Sequence, residues 1–333
     1  MSGGTDDSVT DSMTTPSSEL PGPANPRRRR WTRVLKWVGL AVAAAFALAY
    51  VVERWDEIVA ALSRLSVTAL VGAFAAVVAG LLSSAQSWRA VMSGLGSPLP
   101  VTRANRIYFL GQLGKYVPGS IWPVIAQAEL STEYGVPRRR AAVATLTQMM
   151  VSVVVGGVVG ILGLLGGSPD AARTYWWLGI VVVAGVVVLT PAVLNRVVAL
   201  VGRLVKRPTE PMSARGLLHS ALWSVVMWCA FGVQLWLLAR TVTTDSPALL
   251  LASVGGFALA WVVGFVIVLL PAGAGAREAA LVLVLSPYMA APDALALALA
   301  SRVLMLAGDV ALAGAAALLA RWGEARRRPA AAR

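Results

Sequence analysis

Residues 105–130 read NRIYFLGQLGKYVPGSIWPVIAQAEL, a long apolar stretch with several helix-breaking residues. It is apolar enough to lie in a membrane, but Gly114, Pro118, Gly119 and Pro123 interrupt it, so that a continuous helix is not expected. Non-helical backbone at membrane depth is tolerated only where protein or a wet cavity satisfies its polar groups. The stretch is therefore a candidate for a re-entrant segment that lines a cavity.

A second stretch, residues 269–289, is interrupted in the same way. It reads LLPAGAGAREAALVLVLSPYM, in which Pro271 and Gly275 break the apolar sequence just before Arg277 and Glu278. A helix that begins after Gly275 brings its N-terminal amides close to Arg277, an arrangement that suits an anion such as a lipid phosphate. Two interrupted apolar segments also point to a transporter site.

The composition of the whole chain agrees with a membrane protein. Of its 333 residues, 57% are hydrophobic and 14% are charged, whereas an ordinary soluble domain has about 25% charged residues. Seven apolar runs are each near the length of about 20 residues that a transmembrane helix needs. These runs are Val34–Val52, Ser66–Ser87, Ala141–Gly166, Tyr175–Leu194, Leu217–Leu238, Ala248–Leu270 and Ala294–Leu319. We therefore predict an all-α fold, a polytopic transmembrane helical bundle of seven or eight spans with two broken or re-entrant segments.

The formal net charge of +13 is explained by membrane topology rather than by nucleic acid, for which no binding module is visible. Arg27–Arg30 flank the first apolar run, so we predict a multi-pass protein of the cell membrane with a cytoplasmic N-terminus. Seven crossings put the C-terminus outside, whereas Arg321 and Arg326–Arg328 resemble a cytoplasmic flank. An eighth crossing element, with residues 272–291 as the candidate, would remove this conflict.

Three regions follow from these patterns. We predict a disordered cytoplasmic tail at residues 1–30, a transmembrane domain at residues 31–322 and a short basic tail at residues 323–333. The single cysteine and single histidine leave neither a disulfide framework nor a Cys/His metal site. We expect no cofactor, no metal and no catalytic residue, and we predict that the protein is not an enzyme.

Six residues are predicted to bind substrate, because charges at membrane depth are costly and need a partner or a wet cavity. They are Lys115, Tyr116, Arg277, Glu278, Arg302 and Asp309. Lys115 and Arg277 together can bracket a phosphate headgroup, and the seven-residue spacing of Arg302 and Asp309 puts both on one helix face. A purely structural role stays open for these residues. Lys115 can extend to the headgroup region, Arg277 and Glu278 can form an ion pair, and Arg302 and Asp309 can make helix–helix contacts.

The chain resembles the lysylphosphatidylglycerol synthase transmembrane region family, whose members are flippase-like membrane proteins. The resemblance extends over roughly residues 34–322 and rests on three motifs together with Arg302 and Asp309. The motifs are GKYVPGSIW (114–122), GVPRRRAA (135–142) and PAGAGAREAA (271–280). It implies a polytopic helical domain that, in bifunctional members, moves a modified phospholipid from the inner to the outer leaflet. Other members accompany glycolipid, hopanoid or cell-envelope biosynthesis.

The sequence departs from the family in two places. Bifunctional members carry a soluble aminoacyl-transferase domain after the membrane region, whereas this sequence ends at Arg333, so we do not expect it to make an aminoacyl lipid. In the third long span many relatives have an acidic residue followed by a basic residue or glutamine, and here Gln148 and Met149 occupy that stretch. Without the acid, the resemblance favours an anionic or glycosylated lipid over an aminoacylated one.

The leading hypothesis is a lipid flippase that moves a phospholipid, a glycolipid or a lipid-linked precursor, with phosphate-headgroup membrane lipids as its partners. Movement is passive or ion-coupled, and Glu278 or Asp309 is a candidate proton acceptor. One alternative is a membrane-embedded glycosyltransferase that uses a polyprenyl-phosphate sugar, suggested by Glu53, Asp56 and Glu57 after the first span. Another is a non-transporting membrane partner of an envelope-lipid synthase or glycosyltransferase.

Overall fold

The computed structural model describes residues 52, 65–116, 121–167, 173–193, 195–196, 212–266 and 275–327. Helices and turns make up these ranges, which contain no strand, and the predicted all-α fold is confirmed. The main helices are α1 (Val67–Gly94), α2 (Val101–Gln112), α3 (Trp122–Ser131), α4 (Arg138–Gly167), α5 (Leu178–Val188), α6 (Ala214–Ala239), α7 (Pro247–Val266), α8 (Ala276–Leu285) and α9 (Ala291–Arg327).

Helices α1, α4, α6, α7 and α9 are long and apolar enough to cross a membrane. They coincide with five of the seven predicted runs. The run at residues 175–194 contains α5, an apolar helix of 11 residues that extends about 17 Å at 1.5 Å per residue, less than a hydrocarbon core of about 30 Å. Except for Val52, the first run lies outside the described residues, as do the predicted N-terminal tail and residues 328–333.

The first interrupted stretch forms a re-entrant pair of half-helices. Helix α2 ends at Gln112, a 3₁₀ turn follows at Leu113–Tyr116, and α3 begins at Trp122. At the start of α4, Arg140 Nη1 donates a hydrogen bond of 2.9 Å to Ser97 Oγ, in the loop before α2. The chain thus enters and leaves this pair at the same end of the bundle, as the glycines and prolines predict.

The second interrupted stretch also contains a half-helix. Helix α7 has 20 residues and α8 has 10, or about 30 Å and about 15 Å, and residues 267–274 between them are outside the described ranges. Thr243 Oγ1, in the loop before α7, donates a 2.8 Å hydrogen bond to the carbonyl oxygen of Tyr288, in the loop after α8. Helix α8 therefore returns to the end from which α7 starts, and the described part of residues 272–291 is not a full crossing.

One end of the bundle is basic. It comprises the loops at residues 95–100 and 132–137 together with the start of α6, where Ser213 N donates to Gly94 O at 3.0 Å. We call it the basic end, because the arginines that lie in or beside it are Arg89, Arg103, Arg106, Arg138, Arg139, Arg140 and Arg215. Helix α9 starts at the opposite end and runs toward the basic end. Arg321, Arg326 and Arg327 belong to the last turns of this helix, toward the basic end.

Close packing of α4 against α7 depends on glycine. A Cβ atom built on Gly163 lies 2.6 Å from Gly255 Cα and 2.6 Å from the carbonyl oxygen of Leu251. Both obstacles are backbone atoms, so a side chain at this position forces the two helices apart. Small residues at such crossings let membrane helices approach closely.

We expect Gly163→Ala to lower the free energy of unfolding by about 1–3 kcal/mol, the typical cost of overpacking. Gly157 is the matched control, because it lies in the same helix and a Cβ built on it meets no atom within 4 Å. Gly157→Ala should be neutral or stabilise the protein by up to about 1 kcal/mol through helix propensity. Thermal unfolding of both variants in detergent measures the difference, and equal midpoints would contradict the assignment of Gly163 to a helix contact.

Candidate functional site

A cavity of about 200 Å³ lies where the two interrupted segments meet α9. Its polar and charged lining is provided by Ser84, Tyr108, Gln112, Lys115, Tyr116, Gln148, Ser152, Arg277 and Arg302. Four of the six predicted site residues are in this lining. The other two, Glu278 and Asp309, are buried directly behind it, with 8% and 2% of their surface exposed.

Asp309 of α9 binds the tip of the first interrupted segment through an ion pair and a hydrogen bond. The 3₁₀ turn after α2 presents Lys115 and Tyr116 to this carboxylate. Lys115 Nζ lies 2.6 Å from Asp309 Oδ2, and the Tyr116 hydroxyl donates a 2.6 Å hydrogen bond to the same oxygen. The carboxylate is therefore neutralised within the protein, and Lys115 turns toward α9.

Glu278 joins the start of α8 to α9 by an ion pair with Arg302. Its other carboxylate oxygen, Oε2, accepts a 2.7 Å hydrogen bond from the backbone N–H of Gly275, which caps the helix. Gly275 has φ +86°, a backbone conformation that glycine adopts far more readily than other residues. The glycine break predicted from the sequence thus places Glu278 on Arg302 rather than on Arg277.

Arg277 is the cation of the cavity lining that has no carboxylate partner among the residues that the structure describes. Its guanidinium lies 4.6 Å from the centre of the Phe257 ring, a favourable cation–π arrangement. Within the described ranges Arg277 forms no hydrogen bond and no ion pair. Since Lys115 and Arg302 each have a carboxylate partner, the five charged groups together leave one positive charge, on Arg277.

The uncharged polar part of the cavity lining was largely missed by sequence reasoning. The Tyr108 hydroxyl lies 2.6 Å from Ser84 Oγ and accepts a 2.7 Å hydrogen bond from Gln112 Nε2. Gln148 Nε2 donates a 2.9 Å hydrogen bond to Ser152 Oγ. Of these residues only Gln148 was singled out, by its position in a family motif. A glutamine within an apolar sequence could have indicated a polar cavity, whereas nothing in the sequence distinguishes Ser84 from the neighbouring serines.

Aromatic side chains cover the third side of the cavity. Trp261 stacks on Phe265, with ring centres 5.2 Å apart and planes 10° from parallel, and meets Trp228 edge to face. The indole N–H of Trp228 donates to the carbonyl oxygen of Ser152 at 3.1 Å. This part of the lining is largely apolar, so the polar contacts of a ligand are left to the polar and charged residues named above.

The sequence model of the lysylphosphatidylglycerol synthase TM region family matches residues 36–313, well over half of the chain. The chain belongs to this family. Among curated proteins, none matches it.

As a member of the lysylphosphatidylglycerol synthase TM region family, the protein is a multi-pass helical membrane protein. The matched range contains both interrupted segments and all six predicted site residues. It also contains Glu53, Asp56 and Glu57, the acidic residues of the glycosyltransferase alternative, which lie outside the described residues.

Proposed function

We propose that this protein is a lipid flippase that moves an anionic, phosphate-bearing lipid between the leaflets of the cell membrane for envelope biosynthesis. One observation carries the proposal: every Lys, Arg, Asp or Glu side chain in the described lining of the cavity is cationic. The two carboxylates lie behind the lining and are already engaged by protein groups. The cavity is therefore complementary to an anion.

A phosphate is the anion that this site suits best. An arginine at the centre of a bilayer costs about 2.5–3.5 kcal/mol even on the lenient insertion scale, and Arg277 has no carboxylate partner among the described residues. Its planar guanidinium can donate two parallel hydrogen bonds to a phosphate. The N-terminus of α8, where Arg277 is the second residue, adds a partial positive charge.

The position of the cavity supports lipid movement past the hydrocarbon core. Lys115 lies at the tip of one half-helix pair and Arg277 at the start of the other half-helix, so a headgroup here is far from either membrane surface. The cavity volume of about 200 Å³ is below the about 300–1,000 Å³ of pockets for whole drug-sized ligands. It accommodates a headgroup, while the acyl chains stay in the surrounding lipid.

The distribution of charge suggests how the protein is oriented in the membrane and what drives lipid movement. Basic residues favour the cytoplasmic side, so the basic end faces the cytoplasm and the N-terminus is cytoplasmic. The protein binds and moves its lipid without transforming it, and an envelope-lipid synthase is a fitting partner. Outward movement of an anion is assisted by a membrane potential that is negative inside, by about 2.3 kcal/mol per charge per 100 mV.

Leaflet exchange in proteoliposomes tests this function. We expect acyl-labelled phosphatidylglycerol in the inner leaflet to become accessible to an external quencher only when the protein is present, whereas labelled phosphatidylcholine exchanges more slowly. Exchange that matches protein-free liposomes for every anionic lipid, glycolipid and polyprenyl phosphate would contradict the proposal and favour the non-transporting partner. Equal rates with and without a pH gradient would remove proton uptake by Glu278 or Asp309.

A further inference from the structure

We infer that the cavity contains a second subsite, formed by the side-chain amides of Gln112 and Gln148, that binds the hydroxyl groups of the headgroup. The ligand is then a phosphodiester lipid with a polyhydroxylated headgroup, such as a glycerol or a sugar, and without an amine. This inference rests on the proposed function for its link to transport. Its test measures binding, which is independent of transport.

The first step is the hydrogen-bonding capacity that the two amides leave open. Gln112 uses its Nε2 group on Tyr108, and Gln148 uses its Nε2 group on Ser152. Neither Oε1 atom accepts a hydrogen bond from any residue in the described part of the chain. Gln148 is 5% exposed and still lines the cavity. Both side chains line the cavity, so each Oε1 atom can accept a hydrogen bond from a ligand donor there, and such a bond contributes about 0.5–1.5 kcal/mol.

The second step is the choice between a hydroxyl and an ammonium as that donor. An ammonium needs a carboxylate to offset its desolvation, but Asp309 is held by Lys115 and Tyr116, and Glu278 by Arg302 and the Gly275 amide. The net charge around the cavity is positive, which repels a second cation. Hydroxyl groups donate to both amides at no electrostatic cost.

The third step is that the arginine and the two amides belong to different helices around the same cavity. Arg277 packs on Phe257 of α7, whereas Gln112 and Gln148 belong to α2 and α4 and are held by the hydroxyls of Tyr108 and Ser152. A phosphate held by Arg277 therefore leaves these amides available to the esterified headgroup. The phosphate and the hydroxyl groups of one phosphodiester lipid can then be bound at the same time.

Competitive lipid binding tests the inference. Purified full-length protein in detergent is mixed with equal amounts of phosphatidylglycerol and phosphatidylpropanol, and bound lipid is counted by native mass spectrometry. The two lipids have the same charge and the same number of headgroup carbons and differ only in the two hydroxyls. Two hydrogen bonds of ordinary net strength predict a preference for phosphatidylglycerol of about fivefold to 150-fold.

The double substitution Gln112→Leu and Gln148→Leu should bring this preference close to one while phosphatidylpropanol still binds, which shows that the protein is folded. Gln86→Leu is the matched control, because Gln86 bonds to Asn105 and Arg89 outside the cavity lining. It should keep the wild-type preference.

Equal binding of the two lipids by the wild type would overturn the inference without any variant. It would also be overturned if the double substitution left the preference intact. If leaflet exchange fails but the preference is found, the proposed function is wrong and the subsite stands. If exchange proceeds without a preference, the subsite is wrong and the proposed function stands.

Discussion

Arg277→Ala is expected to reduce leaflet exchange of anionic lipid by about tenfold to a hundredfold, because a hydrogen bond to a charged group contributes about 1.5–3 kcal/mol. Arg277 is the one cation of the described cavity lining that the protein leaves without a carboxylate. Its removal takes away the positive charge that compensates the phosphate. Arg277→Lys should restore only part of the rate, since lysine keeps the charge and loses the paired donors.

The matched control for this experiment is Arg240→Ala. Arg240 also stacks on an aromatic ring, 4.8 Å from the centre of Trp236, but it lies at the opposite end of the bundle from the basic end and outside the cavity lining. Initial rates of quencher accessibility in proteoliposomes with equal protein content compare the variants. Equal loss of exchange in both variants would show a general effect of removing an arginine, and an unchanged rate in Arg277→Ala would contradict the phosphate site.

Arg277→Ala should change activity far more than stability. The variant loses a cation–π contact of about 0.5–2 kcal/mol, but it leaves no buried carboxylate without a partner, since Glu278 is engaged by Arg302 and Gly275. It also removes an uncompensated charge from the interior. The midpoint of thermal unfolding should therefore stay close to that of the wild type while exchange falls.

Much of this arrangement could be predicted from sequence because a membrane strongly penalises both broken backbone and buried charge. Broken backbone at membrane depth identified both interrupted segments, and the cost of buried charge identified five residues that the structure brings to one place. The spacing of Arg302 and Asp309 correctly put them on one face of a helix. Each of these features depends only on residues that are close together in the sequence.

The remaining features depend on tertiary packing. Glu278 neighbours Arg277 in sequence, yet it pairs with Arg302, 24 residues away, because the orientation of α8 against α9 decides the partner. Gln112 and Ser84 became part of the site only through the approach of α1, α2 and α4. The half-helix α8 resembles a transmembrane span in composition, so counting apolar runs could not settle the side of the C-terminus.

Glu278→Ala is expected to cost about 3–5 kcal/mol of unfolding free energy, the range found when one partner of a buried ion pair is removed. The substitution takes away the carboxylate of Arg302 and also the acceptor of the Gly275 N–H. Helix α8 then loses its N-terminal cap as well as its attachment to α9. Unfolding of the purified protein in mixed micelles with increasing denaturing detergent measures the loss.

A double-mutant cycle separates the ion pair from these other effects. If the charge that Arg302 keeps without a partner is the main cost, Arg302→Met combined with Glu278→Ala should be clearly more stable than Glu278→Ala alone, because paired removal leaves no uncompensated charge. Glu129→Ala is the control: Glu129 accepts two hydrogen bonds from Arg138, which is 64% exposed, and an exposed pair contributes at most about 1 kcal/mol. Additive losses at Glu278 and Arg302 would mean that the ion pair is not what holds α8 to α9, and the rigid placement of Arg277 would then need another cause.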